Sequence, residues 1–288
     1  MTHSLTEHWR MKKAWWAILL LFLLSSCGMQ DLPTSSIPEA KISSKGISSI
    51  DVNLTRGNVS IINSNTDQIV VNGRILGSDT SGFSIDIQDD ILSIQFKDEG
   101  KGLAFFGDKG KGNALYLAIP GNIPLAVKIF DGDVTIEGNY AFLDVDSVSA
   151  NIQASNISGW IRLRSGRGDL ILKNGAGEYH LLGEHGRIVM QQINGKIEAS
   201  TILGNIEYRG IPGSEDDINL EVDHGSISIT MLQGTNVRYS LQTANGEVVC
   251  MLPDIIEGPN TCEGRLGDGE GMLKARSVSG KIVIDSQP

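Results

Sequence analysis

The sequence predicts an all-β fold, a parallel β-solenoid of β-helix or β-roll type built from nine-residue half-coils. Three observations predict it. First, residues 131–211 of the 288-residue chain divide into nine units in strict register, and a fixed short period marks a repeat architecture. Second, the fourth position of each unit is Val134, Leu143, Ile152, Ile161, Leu170, Tyr179, Ile188, Ile197 or Ile206, and the sixth position is apolar as well, as at Val145, Leu163 and Met190. Apolar residues two apart put one short strand in each unit, with those side chains on one face. Third, the second position is Gly in seven units and Ala in two, Ala141 and Ala150. A small residue there lets the chain turn before the next strand. Such a unit cannot bury its apolar face alone, but stacked units can, with backbone hydrogen bonds running between coils. If every turn reverses the chain, two units make an 18-residue, two-sided coil; a three-sided coil of 27 residues is the alternative.

The chain begins with a segment that is not fold. Arg10, Lys12 and Lys13 precede an apolar run from Ala14 to Leu24, followed by Leu24-Ser25-Ser26-Cys27. A basic head, a short apolar core and small residues before a cut describe a secretory signal over 1–26. The run is too short to span a bilayer as a helix, which takes about 20 residues. Its ending resembles the lipobox of bacterial lipoproteins, in which Cys27 becomes the lipid-modified, palmitate-type first residue of the mature chain. An ordinary signal peptide with an incidental Cys is the competing reading, and translation starts at either Met1 or Met11. Residues 27–45 are rich in Ser and Pro without a period and read as a flexible tether.

Residues 46–130 read as irregular N-terminal β coils. SIDVNLT, NVSIINS, QIVVNGRI, FSIDIQ, ILSIQFK and ALYLAIP are apolar or alternating runs bounded by turn residues. Residues 98–113 form the one long loop; its glycines and lysines do not satisfy the phosphate-loop pattern. The regular repeats follow over 131–211. A polar insertion, PGSEDD, then breaks the register, and 212–288 read as C-terminal β coils and a cap. Gly267-Asp268-Gly269-Glu270-Gly271 reads as a turn, since it lacks the ligand spacing of a calcium loop.

Charge narrows the partners. The chain after residue 26 holds 21 Lys and Arg against 33 Asp and Glu, a net charge of −12. That balance argues against nucleic acid or anionic lipid, which both demand a basic surface. Signals for catalysis are thin. His180-Leu-Leu-Gly-Glu-His185 is not the zinc-protease pattern, and with His224 these read as corner or solvent-facing histidines. Arg167-Gly168-Asp169 occupies positions one to three of a unit, where Gly is required in any case. No cofactor and no metal site is expected. Cys250 and Cys262 are a candidate disulfide, permissible after export; pairing and two free thiols stand as equal alternatives.

In a two-sided coil, alternate units share a sheet, and its outward positions carry Phe142, Asp144 and Asp146, then Trp160, Arg162 and Arg164, then Glu178, His180 and Leu182, then Lys196, Glu198 and Ser200. Phe142, Asp144, Trp160, Arg162 and His180 are therefore a candidate ligand strip, rings for an apolar sugar face and charges for its hydroxyls. The bland alternative is aromatic stacking that stabilises the sheet.

The segment LYLAIPGNIPLAVKIFDGDVTIEG (115–138), the repeated units, and the ending GEGMLKARSVSGKIVID (269–285) resemble a family of bacterial secreted and lipoprotein β-strand-repeat proteins known as putative adhesins, a domain of unknown function. The resemblance covers roughly 47–286. It implies a right-handed parallel β-solenoid on the cell envelope and carries over no catalytic residue. The reading is an exported, lipid-anchored, non-catalytic envelope binding or adhesion-like module on the extracytoplasmic face of the cell or outer membrane. A glycan or an envelope protein is its candidate partner. The rivals are a polysaccharide-cleaving parallel β-helix enzyme, recruiting Asp144, Asp146, Arg162 and Arg164, and an envelope-stress sensory domain.

Overall fold

The computed structural model describes residues 34–76, 82–97, 113–253 and 255–287. Every regular element in it is a strand. The N-terminal group comprises β1 (Thr34–Ser43), β2 (Ser49–Arg56), β3 (Asn58–Ser64), β4 (Gln68–Leu76), β5 (Phe83–Gln88), β6 (Ile91–Phe96) and β7 (Ala114–Pro120). The repeat region forms β8 (Leu125–Glu137), β9 (Phe142–Ser155), β10 (Gly159–Arg167), β11 (Leu170–His185), β12 (Ile188–Leu203) and β13 (Ile206–Gly210). The C-terminal group is β14 (Asp217–His224), β15 (Ile227–Leu232), β16 (Val237–Met251), β17 (Ile256–Gly258), β18 (Thr261–Leu266) and β19 (Gly271–Gln287).

The nine-residue pattern sets which side chains are inside. All nine fourth-position residues, from Val134 to Ile206, are fully buried at 0% exposure. The sixth positions, among them Val145, Leu163, Leu181 and Met190, are buried with them. Neighbouring repeat strands run parallel and pair 18 residues apart, Leu143 with Ile161 and Leu170 with Ile188. After the polar insertion the offset grows, and Ile197 pairs with Ile218. The small second position is explained at Gly186. Its φ is +142°, and a Cβ there would lie 2.2 Å from the Gly168 carbonyl oxygen, a backbone conformation and an approach that only Gly accommodates. Tyr179 brings a polar atom into this core. Its hydroxyl donates to the Ile157 carbonyl at 2.7 Å, and burial pushes the phenol pKa up.

The open, right-handed, two-sided solenoid expected from the period is not what forms. Five strands close on themselves. β12 pairs with β13 along its first half and with β14 along its second. β13 pairs with β15, and β14 and β15 both pair with β19. All these pairings are parallel, so β12, β13, β15, β19 and β14 make a closed five-stranded parallel barrel, with additional sheets around it. The order of strands at the two ends is also not the order of the chain. β19 lies between β14 and β15 on one edge and β16 on the other. At the N-terminal end, β2 lies between β6 and β8, and β3 between β7 and β8. Antiparallel strands then cover the flanks: β4 on β7, β1 on β4, β5 on β6 and β18 on β16. The physical reason is the sheet edge. An open solenoid would present unpaired backbone groups at both ends, a template for aggregation, and here distant segments occupy those edges.

The tether expected over 27–45 also ends early. Thr34–Ser43 is strand β1, in antiparallel register with β4, and its Ile37 is 7% exposed. Residue Ile37 is an anchoring side chain in a stretch whose Ser and Pro content suggested none. The signal segment 1–26, the lipidation residue Cys27 and residues 98–112 of the long loop lie outside the described residues.

Candidate functional site

The outward face of β9 to β12 carries the predicted strip. Phe142 and Trp160 are register partners on β9 and β10, and their rings stack with centroids 4.6 Å apart and planes 3° apart. His180 of β11 lies against the other side of Trp160, 5.3 Å away and tilted by 41°. The indole is thus held between two rings. Both faces of the indole have a ring against them, so a sugar does not lie flat on Trp160. Phe142 remains 38% exposed.

The charged members are held as tightly. Arg162 donates through Nε to Asp144 Oδ1 at 2.8 Å and through Nη2 to Oδ2, a two-pronged ion pair across the strands. That hydrogen bonding raises the guanidinium pKa. His180 has Nε2 3.0 Å from Glu178 Oε1 and Nδ1 3.0 Å from Glu198 Oε2. The ring thus stands between two carboxylates, one on its own strand and one on the next. Lys196 closes the cluster, 2.9 Å from Glu178 and 3.6 Å from Glu198. Hydrogen bonds from Lys196, then from His180, hold the Glu178 carboxyl below the usual range.

The structure brings Phe142, Asp144, Trp160, Arg162 and His180 onto one face as a single ridge with polar flanks. Arg164 stands opposite Asp146 in register but reaches instead to Glu184, at 3.4 Å. His185 and His224 are exposed at a corner, on either side of Leu203 in register. Asp169 of the Arg-Gly-Asp tripeptide is turned to its own neighbour. Partial burial raises its pKa, but hydrogen bonds from the Arg187 backbone (2.9 Å) and side chain (2.7 Å) prevail and lower it. Cys250 and Cys262 form a disulfide that ties the second half of β16 to β18. Sequence reasoning missed the facing pair of Arg238 on β16 and Arg265 on β18. The two belong to no nine-residue unit, and only the antiparallel register of β16 with β18 brings them together.

The Toastrack DUF4097 family matches residues 47–285, and the chain belongs to that family. No curated protein matches it. Among solved structures, the putative adhesin from Bacteroides fragilis is 18% identical, covers 90% of this chain and 100% of its own, and superposes with a TM-score of 0.52, which supports likeness of fold. A putative cell adhesion protein from Clostridium sporogenes is 14% identical over 88% of this chain and 100% of its own, with a TM-score of 0.29. A putative lipid binding protein from Parabacteroides distasonis is 11% identical over 88% and 96%, with a TM-score of 0.40.

Proposed function

We propose that the chain is a non-catalytic binding module of the cell envelope, held to a membrane through Cys27 and engaging an envelope glycan or protein with its outward β9–β12 face. The observation that carries this reading is the ridge of Phe142, Trp160 and His180, aligned across three strands and flanked by Asp144, Arg162, Glu178 and Glu198. Aromatic edges beside fixed hydrogen-bonding groups suit an extended polar ligand laid across the strands. Membership of the Toastrack DUF4097 family and likeness of fold to a protein described as a putative adhesin support the reading. Trp160→Ala tests the reading. It is expected to abolish retention on a peptidoglycan-fragment and envelope-glycan array. Loss of the ring pairing should cost about 0.5–1.5 kcal/mol beyond the area the indole buries. Unchanged retention by the variant, with a melting loss alone, would show the ridge to be structural. The anchor has its own test: Cys27→Ala should free the protein from membranes or block its processing. A variant that stays membrane-bound with the same mature mass would refute the lipobox.

A further inference from the structure

The strands that cover the flanks leave one rung open, because the two halves of β16 end differently. Residues 237–242 pair with β19 on one side and with β18 on the other. Residues 247–251 pair with β19, Glu247 opposite Lys281 and Met251 opposite Asp285, and no strand among the described residues lies along their other edge. Packing shows the same opening. On β19 the inward Ile282 and Ile284 are fully buried. Their register partners on β16, Val248 and Cys250, are half-buried, so the core is incompletely covered at this last rung. Outward, Val249 and Val283 are half-buried register partners, and Met251 is 57% exposed.

The other edges are guarded. β1 pairs with β4 alone among the described residues, and it carries Pro38, Lys41 and a register irregularity between Ile37 and Ala40. β17 is three residues long, and β5 carries a carboxylate, Asp86. Proline, bulges, charge and short length are the devices that keep an edge from pairing. Residues 247–251 (Glu-Val-Val-Cys-Met) hold one charge, Glu247, and Lys281 offsets it at 3.0 Å.

We propose that residues 247–251 of β16 pair antiparallel with the same residues of a second copy of this chain, about a two-fold axis at Val249. The occupant is a strand, because the edge offers backbone N–H and C=O groups, which a bilayer does not satisfy. The two-fold argues for a second copy. It sets Val249 opposite the partner's Val249, Val248 opposite the partner's Cys250 and Glu247 opposite the partner's Met251. Inward side chains then meet inward ones, the apolar rows continue across the axis, and no charge faces its like, which would oppose pairing. A head-to-tail stack would need the guarded edge of β1 instead. The contact is therefore isologous and closes at two copies. The aromatic ridge lies on rows that lead to the first half of β16, so this contact does not depend on it.

Sedimentation equilibrium of the mature protein in density-matched detergent tests the pairing. It should show a reversible dimer and nothing larger. Val249→Lys should weaken the dimer at least about tenfold, since two like charges then face each other across the axis. Val249→Glu alone should fail in the same way. An equimolar mixture of the two variants should recover the dimer, a result that misfolded variants could not give. Ile62→Lys, at an exposed aliphatic residue on β3, should associate as the wild type does. The proposal is overturned if the wild type is monomeric at about 0.1 mM, where a micromolar contact would be nearly complete. It is overturned equally if larger assemblies form, if Val249→Lys dimerises unchanged, or if the mixture stays monomeric.

Discussion

Ile161→Ala is expected to lower the stability of the folded protein by about 2–5 kcal/mol, the usual cost of emptying a buried aliphatic site. Ile161 is fully buried, pairs in register with Leu143 and Tyr179, and lies in the continuous core. Parallel neighbours on both sides hold the backbone in place, so the walls have little freedom to collapse into the void. One residue along, Arg162 points outward and its ion pair with Asp144 is substantially solvated. Arg162→Ala should cost no more than about 1 kcal/mol, as exposed pairs do. Chemical denaturation of the two variants measures the contrast directly. Similar losses would break the assignment of inward and outward positions.

Replacing Cys250 and Cys262 by Ser together is expected to cost about 3 kcal/mol, the loop entropy released when a bridge between residues 12 apart is removed. Geometry adds to this entropy. Cys262 is 1% exposed and lies on β18, which pairs with β16 on one side and with the three-residue β17 on the other. The bridge therefore secures the strands that cover one end of the sheet. Denaturation under oxidising and reducing conditions should show the same difference in the wild type and none in the double variant. Equal stability of the wild type in both conditions would mean that strand pairing alone holds this end.

The repeat region was legible because its period is local. Positions four and six specify burial within each unit, and the 18-residue spacing of two units placed Phe142 against Trp160 and Asp144 against Arg162. The closure was not legible. A period states what happens between successive units. It does not state that Leu273 of β19 will pair with Ile218 on one side and Tyr239 on the other. The same insertion sets Arg276 opposite Glu221 and Lys274 opposite Asn219, pairings that no local period states. Strand β1 was missed for a different reason. Its composition is that of a linker, and it forms a strand because β4 offers it an edge and Ile37 a place in the core. At the ridge, composition identified the aromatic residues but not their orientation. Stacking covers both faces of Trp160, and the register, which sets Glu178 opposite that residue, does not state that His180 takes its far side.

Trp160 is the one Trp beyond the signal segment, so its emission in the mature protein reports on the ridge alone. Titration of peptidoglycan fragments and envelope glycans, followed by that emission, tests the binding account most directly. The account predicts a saturable change in intensity or wavelength with at least one fragment, as a ligand edge replaces water beside the indole and its flanking ion pairs. An emission that stays unchanged while the fragment demonstrably binds would place the ligand elsewhere and leave Phe142, Trp160 and His180 as a structural stack.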